Sequence, residues 1–389
     1  MPHTSRLFYQ YSGVHSLLIG ILPFFLPALM WEMGSSLSEI SWFIALSGIG
    51  YLLSLILWDR SREWFGWKTI IIISFLLELA LVTFIVLDQA MTTIYWIALL
   101  NGAYGCFFWM SQRSLFVTSS DSINTARRFG NFQIVVMILL KVGILMGAYL
   151  WQEWGPNSVF WLTLAVLLPV LLYLLTTTLP EHLTGSVAQP LALKSIFKYH
   201  DNYSSRLVFF IDGLFLFAES YFWLISLYLV AGENLMSLGI LVVSLSILLA
   251  IIFYLIKNSL DRIRVQRVYI IAVIAYALSW LLRGTIEIDN NQLWLYPLII
   301  FIAFLTALFR LAFNKRFFDI AAKLATHEYL VMKSYYSQAG IALLFCLAGL
   351  LLNQNTNSFA SLQIFYWVLV PISIIFILYR EPDSDSKPT

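Results

Sequence analysis

The chain of 389 residues has 60% apolar and 11% charged side chains at a mean hydropathy of +0.82, which leaves too little polar surface to coat a water-soluble globule of this size. Its formal net charge of +2 comes from basic residues spread over many short connections, which excludes a nucleic-acid-binding patch. Two cysteines, Cys106 and Cys346, sit in separate apolar runs and exclude a disulfide framework.

Lipid is therefore the expected solvent, and runs of about 20 apolar residues, enough to cross about 30 Å of hydrocarbon, are the elements to look for. In chain order they lie at 14–30, 40–58, 69–87, 94–116, 132–151 and 159–178. A polar stretch over 181–205 interrupts them. Six more follow at 207–230, 235–256, 268–282, 293–313, 334–352 and 359–378. A backbone in hydrocarbon must satisfy its own hydrogen bonds, so segments of this length are helices. The expected fold is an all-α membrane protein of twelve transmembrane helices in two pseudo-symmetric six-helix bundles. The expected division is 1–180 for the first bundle, 181–205 for a cytoplasmic linker, 206–380 for the second bundle and 381–389 for a cytoplasmic tail. The first run has no small-residue cleavage site after it and reads as a retained helix.

Basic residues crowd the even-numbered connections: Arg60, Arg62 and Lys68; Arg127 and Arg128; Lys194, Lys198 and Arg206; Lys257, Arg262, Arg264 and Arg267; Lys315, Arg316, Lys323 and Lys333. The odd connections carry acids instead, among them Glu32, Asp88, Glu153 and Glu233. Both termini are therefore expected in the cytoplasm, in a multi-pass protein of a bacterial inner membrane. The five histidines are scattered, with no Cys/His cluster and no phosphate loop, so neither a metal nor another cofactor is expected, and no enzyme activity.

The chain also repeats itself. An offset of 198 positions carries Glu63 onto Asp261, Gly34 onto Gly232 and Leu37 onto Leu235. Each copy places a basic, acid-containing turn after its second apolar segment, the layout of a secondary transporter built from two halves.

These residues resemble the major facilitator superfamily over essentially the whole chain. That family's turn between helices two and three reads Gly-x-x-x-Asp-Arg-x-Gly-Arg-Lys, and Asp59, Glu63, Gly66 and Lys68 fall at its first glycine, acid, second glycine and final basic positions. Trp64 and Trp67 stand where two basic residues belong, so the local charge network is thinner. The second copy keeps Asp261 and Arg262, and Leu179-Pro180-Glu181 resembles the family's end of helix six. The resemblance implies a latch on the cytoplasmic face, with Glu63, Arg113 and Glu181 in the first half and Asp261 and Arg310 as their echoes. The alternative is that Arg113 and Arg310 are snorkelling arginines at helix ends. Two exporter signatures are missing: Ala98 stands where an arginine is expected in helix four, and Gly143 and Gly147 occur without a proline in helix five. The glycine pair predicts close helix packing.

Charges deep in the spans are the candidate working groups, because an ionised side chain there persists when it is paired or useful. Lys141 in helix five and Glu219 in helix seven are expected to bridge the halves. Asp212 lies seven residues before Glu219, on nearly the same helix face, and His15 falls within one position of Asp212 under the repeat. His15 and Asp212 leading to Lys141 and Glu219 form the expected proton-coupling route. A static buried salt bridge is the alternative. Glu78 and Arg283 read as structural, and Trp31, Trp42, Trp58, Trp151, Trp154 and Trp294 read as headgroup-level anchors. Tyr104, Phe107, Trp109, Tyr221 and Trp223 are candidate cavity aromatics. The expected activity is transport of a small organic solute by alternating access with a coupling ion, H+, by a monomer. A lipid-linked substrate flippase and a non-transporting receptor are the rival readings.

Overall fold

In the computed structural model every regular element among the described residues, 3–88, 93–119, 125–176, 190–260, 265–287, 294–324, 326–352 and 359–379, is helical. In chain order they are α1 (His3–Ile21), α2 (Leu26–Glu32), α3 (Leu37–Leu87), α4 (Ile94–Ser119), α5 (Thr125–Trp154), α6 (Pro156–Thr176), α7 (Leu193–Lys198), α8 (Ser205–Phe217), α9 (Trp223–Val230), α10 (Leu235–Leu260), α11 (Val265–Arg283), α12 (Leu295–Lys323), α13 (Thr326–Leu351) and α14 (Phe359–Ser373). Nine helical stretches among the described residues are long and apolar enough to cross a membrane, or ten when α1 and α2 count as one bent span.

The first crossing differs from an unbroken helix. Pro23 opens a short 3₁₀ segment, Pro23–Phe25, and the chain bends by 44° between its two arms, because a proline removes a backbone donor and collides with the preceding turn. Beyond it Ser36 caps α3 reciprocally: its side chain accepts from the Glu39 N–H, and the Glu39 carboxylate accepts from the Ser36 N–H at 2.7 Å.

The 51 residues of α3 are about twice what one crossing of the hydrocarbon core needs. They form two helical arms that meet at Gly66, whose φ of 65° and ψ of 168° leave the helical region. Only glycine takes that conformation without strain, which is why the family turn needs a glycine there. The two arms coincide with the apolar runs expected at 40–58 and 69–87.

Helix contacts repeat between the two parts of the chain. α1 packs on α5 as α8 packs on α13, and α3 packs on α6 as α11 packs on α14. Small residues make the first two contacts close: a side chain at Gly143 or Gly147 would meet the backbone of Leu17 or Ile21, and one at Gly213 or Gly340 that of Ser337 or Phe210. Contacts between the parts run from α3 to α13 and from α5 to α10. The polar stretch around α7 ties to both: the Leu191 N–H, just before the helix, donates to Asp59 Oδ2 at 2.9 Å, and the Tyr336 hydroxyl donates to the Ile196 carbonyl of α7 at 2.8 Å. Leu53, Leu57, Trp96, Trp161, Ile247 and Leu343 are exposed on the flanks, the surface that lipid covers.

Candidate functional site

Arg310 of α12 is the centre of the strongest charge cluster. Its Nη1 donates to Asp212 Oδ1 of α8 at 2.6 Å, its Nε to Glu219 Oε2 at 3.1 Å and its Nη2 to the Tyr276 hydroxyl of α11 at 3.3 Å. The Tyr276 hydroxyl in turn donates to Glu219 Oε1. Lys333 of α13 adds a second cation, with Nζ 3.5 Å from Asp212 Oδ2 and 4.5 Å from the centre of the Phe317 ring. Two acids meet two bases, so the cluster is neutral as a whole. Side-chain exposure is 1% for Asp212 and 18% for Arg310 and Glu219. A guanidinium suits this place because its planar fork serves several acceptors at once. Glu219 reaches it from a π-helical segment, Ala218–Phe222, inserted between α8 and α9. Such one-turn insertions re-aim side chains and recur at working sites.

A second buried cluster lies in the first half of the chain. His15 Nδ1 of α1 is 2.6 Å from Glu78 Oε2 on α3, and the Tyr104 hydroxyl of α4 donates to Glu78 Oε1 at 2.9 Å. On its far side His15 Nε2 is 3.0 Å from Ser74 Oγ, and Tyr11 stands 3.2 Å from the same oxygen. Phe75 stacks on the imidazole at 4.0 Å. His15 and Glu78 are fully buried.

At the end of the molecule that carries the family turn, Asp59 pairs with Arg62. Arg62 Nη2 is 3.0 Å from His327 Nε2 of α13, a contact between the two parts of the chain. Nearby Arg113 Nη1 donates to Ser334 Oγ of α13 at 3.3 Å, and Lys68 donates to the Leu175 carbonyl at 3.0 Å. At the opposite end the Ser38 hydroxyl donates to the Gly349 carbonyl at 2.7 Å, and α2 packs on α9. Between the two ends the Asn101 amide reaches Ser47 Oγ at 3.2 Å and the Tyr221 hydroxyl at 3.4 Å.

The family model described as Major Facilitator Superfamily matches residues 12–326. The chain belongs to this superfamily. No curated protein matches it. Among solved structures, the nucleoside transporter NupG superposes with a TM-score of 0.65 at 14% identity, covering 96% of this chain and 97% of that one. The POT family transporter PepTSo gives 0.68 at 10% identity, covering 97% and 98%. An auto-inhibited POT family peptide transporter gives 0.65 at 13%, covering 100% and 99%. At such identities the likeness establishes the fold. This superfamily member is a transport protein and not an enzyme.

Within the superfamily fold the sequence expectations divide. Asp212 and Glu219 are both bound by Arg310, with Glu219 brought there by the π-helical turn. Lys141 does not join them: Glu219 is taken by Arg310 and Tyr276, and Lys141, half-buried on α5, makes no ion pair among the described residues. His15 does not share a route with Asp212, because Glu78 in its own half holds it. Glu63, expected as the latch acid, is exposed. Asp59, four residues earlier and buried, makes the contacts instead. Arg310, expected in the latch, lies in the charge cluster, since two embedded carboxylates outbid a helix-end position. Trp58 is no headgroup anchor: it is buried, donates to Ser111 Oγ at 3.0 Å and carries Arg62 over its ring. Glu181, Asp261 and Arg262 lie outside the described residues.

Three contributors escaped the sequence reading. Lys333 reads as one basic residue of a cytoplasmic connection, but it sits on α13 facing Asp212. His327 lacks any motif. Tyr276 is the repeat partner of Glu78 at the offset of 198, a correspondence that places both clusters at equivalent helix levels and is the one signal that could have found it.

Proposed function

We propose that this superfamily member is a secondary active transporter that moves a small organic solute by alternating access, driven by protons. The Arg310 network carries the reading. A balanced set of two acids and two bases spanning α8, α11, α12 and α13 holds four helices of one half together. It is too costly to be kept in an apolar span without a use. A solute or proton that competes for Glu219 or Asp212 would release Arg310 and so change the packing of α12 against α8, which is the differential contact a population shift requires.

Twelve crossings follow from counting α1 with α2, each arm of α3, and α8 with α9 as one span apiece, with α4 at 26 residues as another. The repeated helix contacts support a division into bundles at 1–180 and 206–380, and the distribution of basic residues supports cytoplasmic termini. Contacts at both ends support an exchange in which the Asp59–Arg62–His327 group and the Ser38–Gly349 pair open in turn.

The solute is of the kind that carries an anionic group on an apolar or ring body. Lys141 and Arg113, both partly exposed, meet no carboxylate among the described residues and supply positive charge outside the balanced cluster. Tyr221, Trp223 and Phe217 supply ring surface beside Glu219 in sequence.

The test is uptake into proteoliposomes under an imposed pH gradient, with a panel of small aromatic and aliphatic carboxylates, nucleosides and di- and tripeptides, preceded by thermal-shift screening. A carboxylate that stabilises the protein and accumulates with the gradient, and stops accumulating when an uncoupler is added, is the expected result. Binding without flux for every stabilising compound would leave a receptor instead.

A further inference from the structure

We propose that His15 and Glu78 form a proton-binding site within the first half, reached through Ser74 from a cleft at Tyr11. The proposal rests on the proton-coupled reading for its purpose, and on geometry alone for its existence.

Where the single Ser74 hydroxyl hydrogen goes to the Ile71 carbonyl 2.8 Å away, Tyr11 and His15 Nε2, at 3.2 and 3.0 Å from Ser74 Oγ, both donate to it. With Nε2 carrying a hydrogen, a neutral imidazole would present a bare Nδ1 lone pair to Glu78 Oε2 at 2.6 Å. Two bare acceptors repel at that distance, and neither atom has another hydrogen-bond partner. In this arrangement, the loaded form, one further proton lies between them. The pair is imidazolium with carboxylate or imidazole with carboxylic acid, and both are neutral overall.

Losing that proton leaves one negative charge at a fully buried place with no compensating cation among the described residues. Tyr11 of α1, Ser74 and Phe75 of α3, and Tyr104 and Phe108 of α4 surround the couple. Tyr173 of α6 lines the neighbouring cleft, and among the described residues Lys141 of α5 makes no ion pair with either partner. A buried, unpaired carboxylate is expensive, so unloading requires either a change of imidazole tautomer or separation of α1 from α3.

A path for the proton is present. A cleft of ≈ 270 Å³ between α1, α3 and α6 is lined by Gln10, Tyr11, Ile71, Phe75, Val170 and Tyr173. In the unloaded form Nδ1–H donates to Glu78 and Nε2 accepts from Ser74. Loading passes the Ser74 hydrogen to Nε2, the Tyr11 hydrogen to Ser74 and a proton from cleft water to Tyr11. One proton moves from water to the couple, and no electrons are transferred.

Infrared difference spectra between acid and alkaline pH, taken on the full chain in lipid, test the site. A titrating carboxyl and imidazole signal that Glu78→Gln and His15→Asn both remove, and that Asp212→Asn and Glu219→Gln leave in place, is expected. Tyr104→Phe takes one hydrogen bond from Oε1, so it should shift that signal without removing it, which covers the case in which Glu78→Gln does not fold. Tyr11→Phe should slow proton uptake after a pH jump several-fold. A difference spectrum unchanged by Glu78→Gln overturns the site. If the signal is lost in that variant while the wild type shows no gradient-driven uptake, the site stands and the proton-coupled reading falls. Gradient-driven uptake that survives Glu78→Gln overturns the site's part in coupling.

Discussion

Arg310 touches two carboxylates and a phenol through three different nitrogens, and this geometry decides what a substitution there does. Glutamine is shorter and uncharged, leaving Asp212 and Glu219 with Lys333 and the more distant Arg283 for compensation. Breaking a buried pair in this way costs about 3–5 kcal/mol. Arg310→Gln is expected to lower the melting temperature in detergent markedly and to abolish gradient-driven uptake. Lysine restores the charge but not the fork, so Arg310→Lys should recover stability more than uptake. Equal recovery of both would show that charge alone matters at this position. The same fork explains why Lys141 lost the competition for Glu219: a single ammonium from another half cannot satisfy Asp212, Glu219 and Tyr276 together.

At the scale of elements, breaks in the helices place the working groups as much as the helices do. Pro23 bends the first span, Gly66 separates the two arms of α3, and the π-helical turn at Ala218–Phe222 turns Glu219 towards Arg310. Gly66 allows the sharpest test, because its φ of 65° and ψ of 168° are closed to side chains and nothing lies within 4 Å of an added Cβ. Gly66→Ala would thus report backbone strain without a clash, at about 1–3 kcal/mol. A fall in melting temperature of this order is expected, and an unchanged value would mean that the turn relaxes. The apolar runs made both arms of α3 legible in advance. The π-turn was not, since a single inserted residue leaves hydropathy unaltered, and its effect appears only where α8, α11 and α12 converge.

For the whole molecule, the question is how the two parts move against each other. α3 and α13 touch through Arg62 and His327 at one end and through Ser38 and Gly349 at the other. Alternating access requires the two contacts to open at different times. In a background with Cys106 and Cys346 replaced by serine, Ser38→Cys with Gly349→Cys should cross-link on oxidation and stop uptake. Reduction should restore it. Uptake that persists through complete cross-linking would mean that this end never opens.

Hydropathy sufficed for the membrane and the helices, because the bilayer imposes one length scale and one polarity on every crossing, and the turn at Asp59–Lys68 pointed to the family. The internal repeat and the turn at Gly66 were likewise written locally. Which charges meet was decided only by tertiary structure. His15 found Glu78, Glu219 found Arg310, and Asp59 displaced Glu63 from the contact between halves. Ion pairing in an apolar interior depends on distances of a few ångströms between helices far apart in the chain, and spacing along one helix carries no record of its neighbours.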